Sequence, residues 1–237
     1  MQRGAASLRD IVILSELREA DLEAIAERCI WRRFQRDQQV LGYGDDTREV
    51  SFLVEGRARA INYALSGKEV SFREIRAGDL FGEFAAIDGG PRSANVIAVE
   101  DCLLASLSAE DFWDLLRRHP EVAAATMKRL TAQVRALTER VFQFSTLAVK
   151  NRIHAELLRL CRDDMIDDRS ARIDPAPTHA DFASRLSTHR EAVTRELNEL
   201  ANLGLLIRRE RSLIVTDVAR LERMVEEVLG ELPETGQ

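Results

Sequence analysis

The sequence predicts an α+β fold: a β-barrel of the jelly-roll kind, one long helix, and a small winged helix-turn-helix module. Three observations predict it. Between residues 30 and 107, short apolar segments alternate with turn signals at near-regular spacing, the pattern of short strands closing a barrel or double sheet. From 121 to about 144, apolar residues recur at heptad spacing. From 178 to 204, two helix-start signals stand a short turn apart, followed by two apolar segments around a basic tip.

A chain of 237 residues has room for two such modules, each with its own core. Hydrophobic residues make up 45% and charged residues 31%, as in soluble globular domains. No apolar run approaches the ~20 residues that span a bilayer, and the first residues lack the apolar core of a signal peptide. The expectation is a cytoplasmic protein with no membrane partner. Cys29, Cys102 and Cys161 are far apart and sit among apolar residues, which reads as buried small hydrophobes rather than a disulfide framework or a metal site. The formal net charge of −6 gives no bulk attraction to nucleic acid, so any DNA-binding face has to be local.

In chain order, 8–29 reads as one helix, with Leu17, Leu22, Ile25 and Ala26 on a common face. Strands are expected at 31–34, 39–41, 50–54, 58–63, 70–75, 95–99 and 102–107, with turns at 42–46, Ser66-Gly67-Lys68 and Gly78-Asp79. Ser108 opens a capped helix ending at His119-Pro120. The long helix follows. Its positions Met127, Leu130, Val134, Leu137, Val141 and Phe144 step by threes and fours. Such a seam pairs with a copy of itself, or packs on its own barrel. The stretch 145–148 reads as a hinge, 149–162 as a further helix, and the acidic, Pro-containing stretch 163–177 as a loop.

One stretch of the barrel carries chemistry. Phe81-Gly82-Glu83-Phe84-Ala85 runs through Gly89-Gly90-Pro91 to Arg92-Ser93. A glutamate accepts from sugar hydroxyls, an arginine and a serine hold phosphate, and backbone N–H groups opened by glycine add a positive field. Near the C-terminus, Thr178-His179-Ala180-Asp181 and Thr188-His189-Arg190-Glu191 read as two capping boxes around a turn at Ser187. The second opens a helix that buries Val193, Leu197 and Leu200 and exposes Arg190, Glu191, Thr194 and Arg195, ending at Gly204. Arginine pairs with guanine O6/N7 and glutamate accepts from cytosine N4 in a major groove; a salt-bridged helix surface carries the same residues. Arg208, Arg209 and Arg211 at the hairpin tip suit phosphates. Asp217 caps a final helix to about 229.

Taken together, these motifs resemble the catabolite activator / fumarate-nitrate regulator superfamily of bacterial transcription factors, over about 8–216, and most the catabolite activator branch. The resemblance implies a cyclic-nucleotide-binding domain over 1–120, a dimerisation helix over 121–144, a winged helix-turn-helix DNA-binding domain over 145–230 and a tail over 231–237. It implies a cyclic nucleotide effector, cyclic AMP or cyclic GMP, with no metal and no enzymatic activity. Glu83 would bind the ribose 2′-hydroxyl, Arg92 and Ser93 the cyclic phosphate, and Gly82, Phe84 and Ala85 would line the cassette. Arg190-Glu191-x-x-x-Arg195 matches the branch's recognition triplet, implying TGTGA-like half-sites in an inverted repeat. Thr188, His189, Thr194, Arg209 and Arg211 would support the contact to double-stranded DNA. The seam residues would form a homodimer, and RNA polymerase would be a further partner.

Two positions depart from the pattern. Leu137 stands where the branch has the first of two base-contacting hydroxyl residues, so only Thr138 keeps a hydroxyl and the choice between adenine and guanine stays open. Ser187 stands where the turn usually has glycine. Cyclic di-GMP as effector, or constitutive ligand-free DNA binding, are the alternatives.

Overall fold

The computed structural model describes residues 4–65, 67 and 69–229. The expected turn residues Ser66 and Lys68, and the tail 231–237, lie outside the described residues. The chain divides into two compact units, 1–134 and 135–237.

The first unit begins with α1 (Ala5–Leu8), a 3-10 turn (Val12–Leu14) and α2 (Glu19–Arg28). The single helix expected over 8–29 is thus broken. Leu8, Ile11, Ile13, Leu14 and Leu17 are all buried. Those positions point to every side of an ideal helix, so one straight helix would leave some in water. Ser15 closes the 3-10 turn, its hydroxyl donating to the Val12 carbonyl at 3.0 Å.

Eight strands follow: β1 (Ile30–Phe34), β2 (Gln39–Leu41), β3 (Val50–Glu55), β4 (Arg57–Tyr63), β5 (Glu69–Arg76), β6 (Leu80–Phe81), then α3 (Glu83–Asp88), β7 (Asn95–Ala98) and β8 (Cys102–Leu107). They form two antiparallel sheets, ordered β1-β8-β3-β6 and β2-β7-β4-β5. Leu53, Phe81 and Leu104 of one sheet meet Ala58, Ile75, Val96 and Ala98 of the other. Val50, Phe52, Ala105 and Leu107, on the opposite face of the first sheet, pack under Leu22, Ile25, Phe112 and Val122. Both faces of β8 are therefore covered, which is why it reads as a nearly continuous apolar run, broken only by Ser106, rather than an alternation. The two-residue β6 escaped sequence reading because it has no period to detect.

Helix α4 (Ala109–Arg118) is capped as expected: Ser108 Oγ accepts from the Asp111 N–H at 3.0 Å. Helix α5 (Pro120–Thr146) runs out of the first unit into the second. No helix among the described residues is long and apolar enough to cross a membrane.

The second unit contains α6 (Val149–Asp163), β9 (Ala171–Ile173), α7 (His179–Arg185), α8 (Arg190–Asn202), β10 (Leu206–Arg209), β11 (Ser212–Val215) and α9 (Val218–Leu229). Strand β9 corrects the expected loop. Ala171 and Ile173 are buried, and the strand pairs antiparallel with β11, giving the order β10-β11-β9. Three residues inside a charged, proline-containing stretch carry too little pattern to mark a strand. The core joins Ile153, Leu157 and Cys161 to Phe182, Val193, Leu197, Leu200, Leu213, Val215 and Leu221. Within it, His154 Nε2 and Glu196 Oε1 meet at 2.6 Å, both buried, tying α6 to α8.

Phe182 is fully buried in this core, and truncating such a ring costs about 3–5 kcal/mol, a large share of a domain's total of about 5–15 kcal/mol. Both tryptophans, Trp31 and Trp113, belong to the first unit. Phe182→Ala is expected to lower the urea midpoint followed by helical ellipticity and to leave the tryptophan-fluorescence midpoint in place; coincident shifts of both would show that the units unfold as one.

Candidate functional site

The cassette sits where β6 turns into α3. Gly82 takes a left-handed conformation, φ +85°, at the start of α3. A Cβ there would come within 2.7 Å of both the Glu49 carbonyl and the Arg92 guanidinium, so glycine is required by conformation and by space alike. Glu83 follows, 3% exposed, and Ala85 is buried, while Phe84 points into solvent.

Arg92 is also 3% exposed. Its Nη1 donates to the Gly82 carbonyl at 2.9 Å, its Nε to Thr47 Oγ1 at 2.9 Å, and its Nη2 to the Glu49 carbonyl at 2.9 Å and carboxylate at 3.3 Å. Its backbone is held too: the Arg92 N–H donates to the Asp45 carbonyl, and the Gly44 N–H to that of Arg92. Burial pushes the Arg92 pKa below its ordinary value, against the carboxylates of Glu49, Asp45 and Glu83. The ion pair is made with Glu49 rather than Glu83. Thr47 and Glu49 escaped sequence reading because they stand more than forty residues away, in a loop with no motif of its own. Ser93 is exposed, its carbonyl accepting from Asn62 Nδ2 at 3.2 Å.

Thr138 lies in the second unit, exposed on α5. The helix also bares most of the expected seam. Met127, Val134, Leu137 and Val141 are exposed, Val134 at 62% and Val141 at 64%. Leu130 is half-buried. Phe144 is half-buried between two guanidiniums, Arg140 at 5.3 Å and Arg152 at 5.0 Å from its ring centre. The break between α5 and α6 is held by a buried Leu147, whose carbonyl accepts from Arg152 Nη1 at 2.9 Å.

In the second unit, Thr178 makes the expected reciprocal capping box with Asp181 at the head of α7. The second capping box is not formed. His189, not Thr188, is the N-cap of α8, with no side-chain cap. Ser187 takes the left-handed conformation, φ +49°. The chain then carries Thr188 inward, to 7% exposure, with its N–H bonded to the Ala183 carbonyl. Beyond the turn, α8 buries Val193, Leu197 and Leu200 as expected. Its outer side is an open face formed by Arg190, Glu191, Thr194, Arg195, Asn198, Glu199 and Asn202. His189, Arg209 and Arg211 are exposed as well.

An unexpected chain of hydrogen bonds orders this face. Arg208 Nη2 donates to His179 Nε2 at 2.9 Å, and His179 Nδ1 meets Thr194 Oγ1 at 2.7 Å. Thr194 donates in turn to the Arg190 carbonyl at 2.9 Å. Since arginine only donates, Nε2 must accept and the proton sits on Nδ1. Burial, with Arg208 and Arg190 nearby, holds the His179 pKa below its ordinary value, which keeps the ring in this neutral form.

Comparison with known proteins identifies both units. Residues 31–119 match the cyclic nucleotide-binding domain, and residues 151–224 the Crp-like helix-turn-helix domain. The chain is 30% identical over 193 residues to the cyclic AMP receptor protein of Thermus thermophilus, covering 81% of this chain and 87% of that protein. It is 23% identical to the cAMP-activated global transcriptional regulator Vfr of Pseudomonas aeruginosa, over 82% of this chain and 92% of that one. Among solved structures, a CooA variant from Carboxydothermus hydrogenoformans superposes with a TM-score of 0.75 at 19% identity, covering 84% of this chain and 88% of that one. The c-di-GMP-responsive regulator CLP of Xanthomonas campestris superposes with a TM-score of 0.69 at 20% identity, covering 80% and 94%. With a cyclic-nucleotide-binding domain ahead of a DNA-binding helix-turn-helix, the chain belongs to the catabolite activator / fumarate-nitrate regulator superfamily of transcription regulators.

Proposed function

We propose that this regulator is a homodimer whose affinity for an inverted repeat of TGTGA-like half-sites is set by a cyclic mononucleotide. The observation that carries the reading is the outer face of α8: Arg190, Glu191 and Arg195 line an open face of a helix anchored by Val193, Leu197 and Leu200. A helix so anchored is rigid enough to present its first turns to base edges. His189, Arg209 and Arg211 flank it for phosphates.

The effector reading rests on the cassette. Glu83 is a buried carboxylate suited to a ribose hydroxyl, and Arg92 a buried guanidinium suited to a cyclic phosphate; on the family resemblance Gly82, Phe84, Ala85 and Ser93 complete the cassette and Thr138 would sense the base. In the present state the Arg92 donors are held by Thr47, Glu49 and the Gly82 carbonyl. Phosphate binding would exchange part of this set for phosphate oxygens. Such an exchange shifts the protein toward its DNA-binding arrangement only if that arrangement binds nucleotide more tightly. The dimer reading rests on the exposed row Met127, Val134, Leu137 and Val141, continued by Leu130 and Phe144. A second copy would cover it, at about 25 cal/mol per Å² of apolar surface. RNA polymerase is a further partner on this reading.

A cyclic nucleotide is expected to raise the melting temperature, by about 2.7 kcal/mol of added stability at a hundred times Kd. Arg92→Ala should remove the rise, and an equal rise in the variant would reject the cassette. Glu191→Ala should relax base choice at one half-site position, losing about 1–3 kcal/mol of discrimination in a competition binding assay; unaltered selectivity would exclude direct readout by that carboxylate. Leu137→Asp should sediment as a monomer, whereas a dimer of undiminished affinity would place the interface elsewhere.

A further inference from the structure

A group of buried donors lies beside the cassette and is not used by the reading above. Arg73 is on β5, directly opposite Ala60 on β4. It shares its strand face with Ile75, which lies in the core between the sheets, so the guanidinium is directed inward, across from a small residue. Arg129 reaches the same place from α5. Arg73 Nη2 and Arg129 Nη2 both donate to the Leu80 carbonyl, at 2.6 and 3.1 Å, and Arg129 Nη1 pairs with Asp79 at 2.7 Å. Gln133 is one helical turn beyond Arg129, on the face that carries the buried Val122 and Thr126.

Three donor atoms of this group are closed to solvent and have no partner: Arg73 Nε, Arg129 Nε and Gln133 Nε2. Buried donors are almost always satisfied, and an unmade one is costly. The cluster adjoins the cassette, since both arginines bond the carbonyl of Leu80, two residues before Gly82. Burial, and then the neighbouring Arg129, lower the Arg73 pKa, with Glu83 and Asp79 acting in the other direction.

We infer that Arg73, with Arg129 and Gln133, is a base-reading set that selects guanine over adenine in the cyclic nucleotide. The inference rests on the proposed placement of ribose on Glu83 and phosphate on Arg92, and adds this cluster to Thr138 as a reader of the base. All three free atoms are donors. Guanine offers two acceptors on one edge, O6 and N7, whereas adenine offers N7 beside an N6 amine, a donor facing donors.

The test is calorimetric titration of the full-length protein with cyclic GMP, cyclic IMP, cyclic AMP and cyclic di-GMP, using the wild type and Arg73→Gln. Cyclic GMP and cyclic IMP, which share O6 and N7, should bind about 5- to 100-fold tighter than cyclic AMP, the range a bidentate arginine–guanine pair supplies. Arg73→Gln should bring that ratio near one while cyclic AMP affinity holds. 7-Deaza-cyclic GMP, which lacks N7, should lose affinity on the wild type, a measurement that needs no variant to fold. The inference is overturned if cyclic AMP binds as tightly as cyclic GMP, if Arg73→Gln weakens both equally as a structural tie would, or if only cyclic di-GMP binds. Binding of no nucleotide would reject the placement of ribose and phosphate, and with it the base assignment.

Discussion

The first unit depends on one buried cation. Arg92 has almost no access to water, so each of its donors must find an acceptor in the protein or on a ligand. The acceptors come from three places in the chain: the Gly82 carbonyl, Thr47 and Glu49, with Asp45 holding its backbone. Those requirements shape the cassette. Gly82 must turn left-handed to offer its carbonyl, and any side chain there would strike the guanidinium it serves. The loop 42–49 is thereby bound to the start of α3. On the proposed reading, a phosphate at Arg92 would compete with these protein acceptors, which would make binding and local rearrangement one event.

The second unit manages its polar groups in two ways. The buried His154–Glu196 pair fixes α8 to α6 from behind. The Arg208–His179–Thr194 chain ties the wing and α7 to the outer side of the same helix. Both act on the element that carries Arg190, Glu191 and Arg195, and neither engages those three side chains among the described residues. A reading helix needs this combination, because a side chain engaged in an internal salt bridge has to break it before it can pair with a base.

The long helix joins the two units and illustrates how far periodicity carries. Its step of three and four marks one apolar row, and four of those six residues are exposed. The same count could not foresee that Phe144 is held between Arg140, one turn before it on the same helix, and Arg152, because Arg152 comes from α6.

Much of the architecture was legible in the chain because its causes are local. Strand alternation, the Ser108 and Thr178 caps, the glycine at the end of α8 and the heptad row each depend on residues within about a turn or a hairpin. The stretch 82–93 and the set Arg190, Glu191 and Arg195 could be singled out as candidates for the same reason: each is a short run of residue types. What stayed hidden was decided by contacts between distant segments. The break at the N-terminus follows from a core that takes Leu8, Ile11, Ile13, Leu14 and Leu17 together. Strands β6 and β9 exist because β3 and β11 offer them an edge. Thr188 is turned inward by a left-handed Ser187. The partners of Arg92 and the convergence of Arg73 and Arg129 on Leu80 belong to the same class. A hydrogen bond is decided at about 3 Å, and only the folded chain brings residues forty or fifty positions apart to that distance.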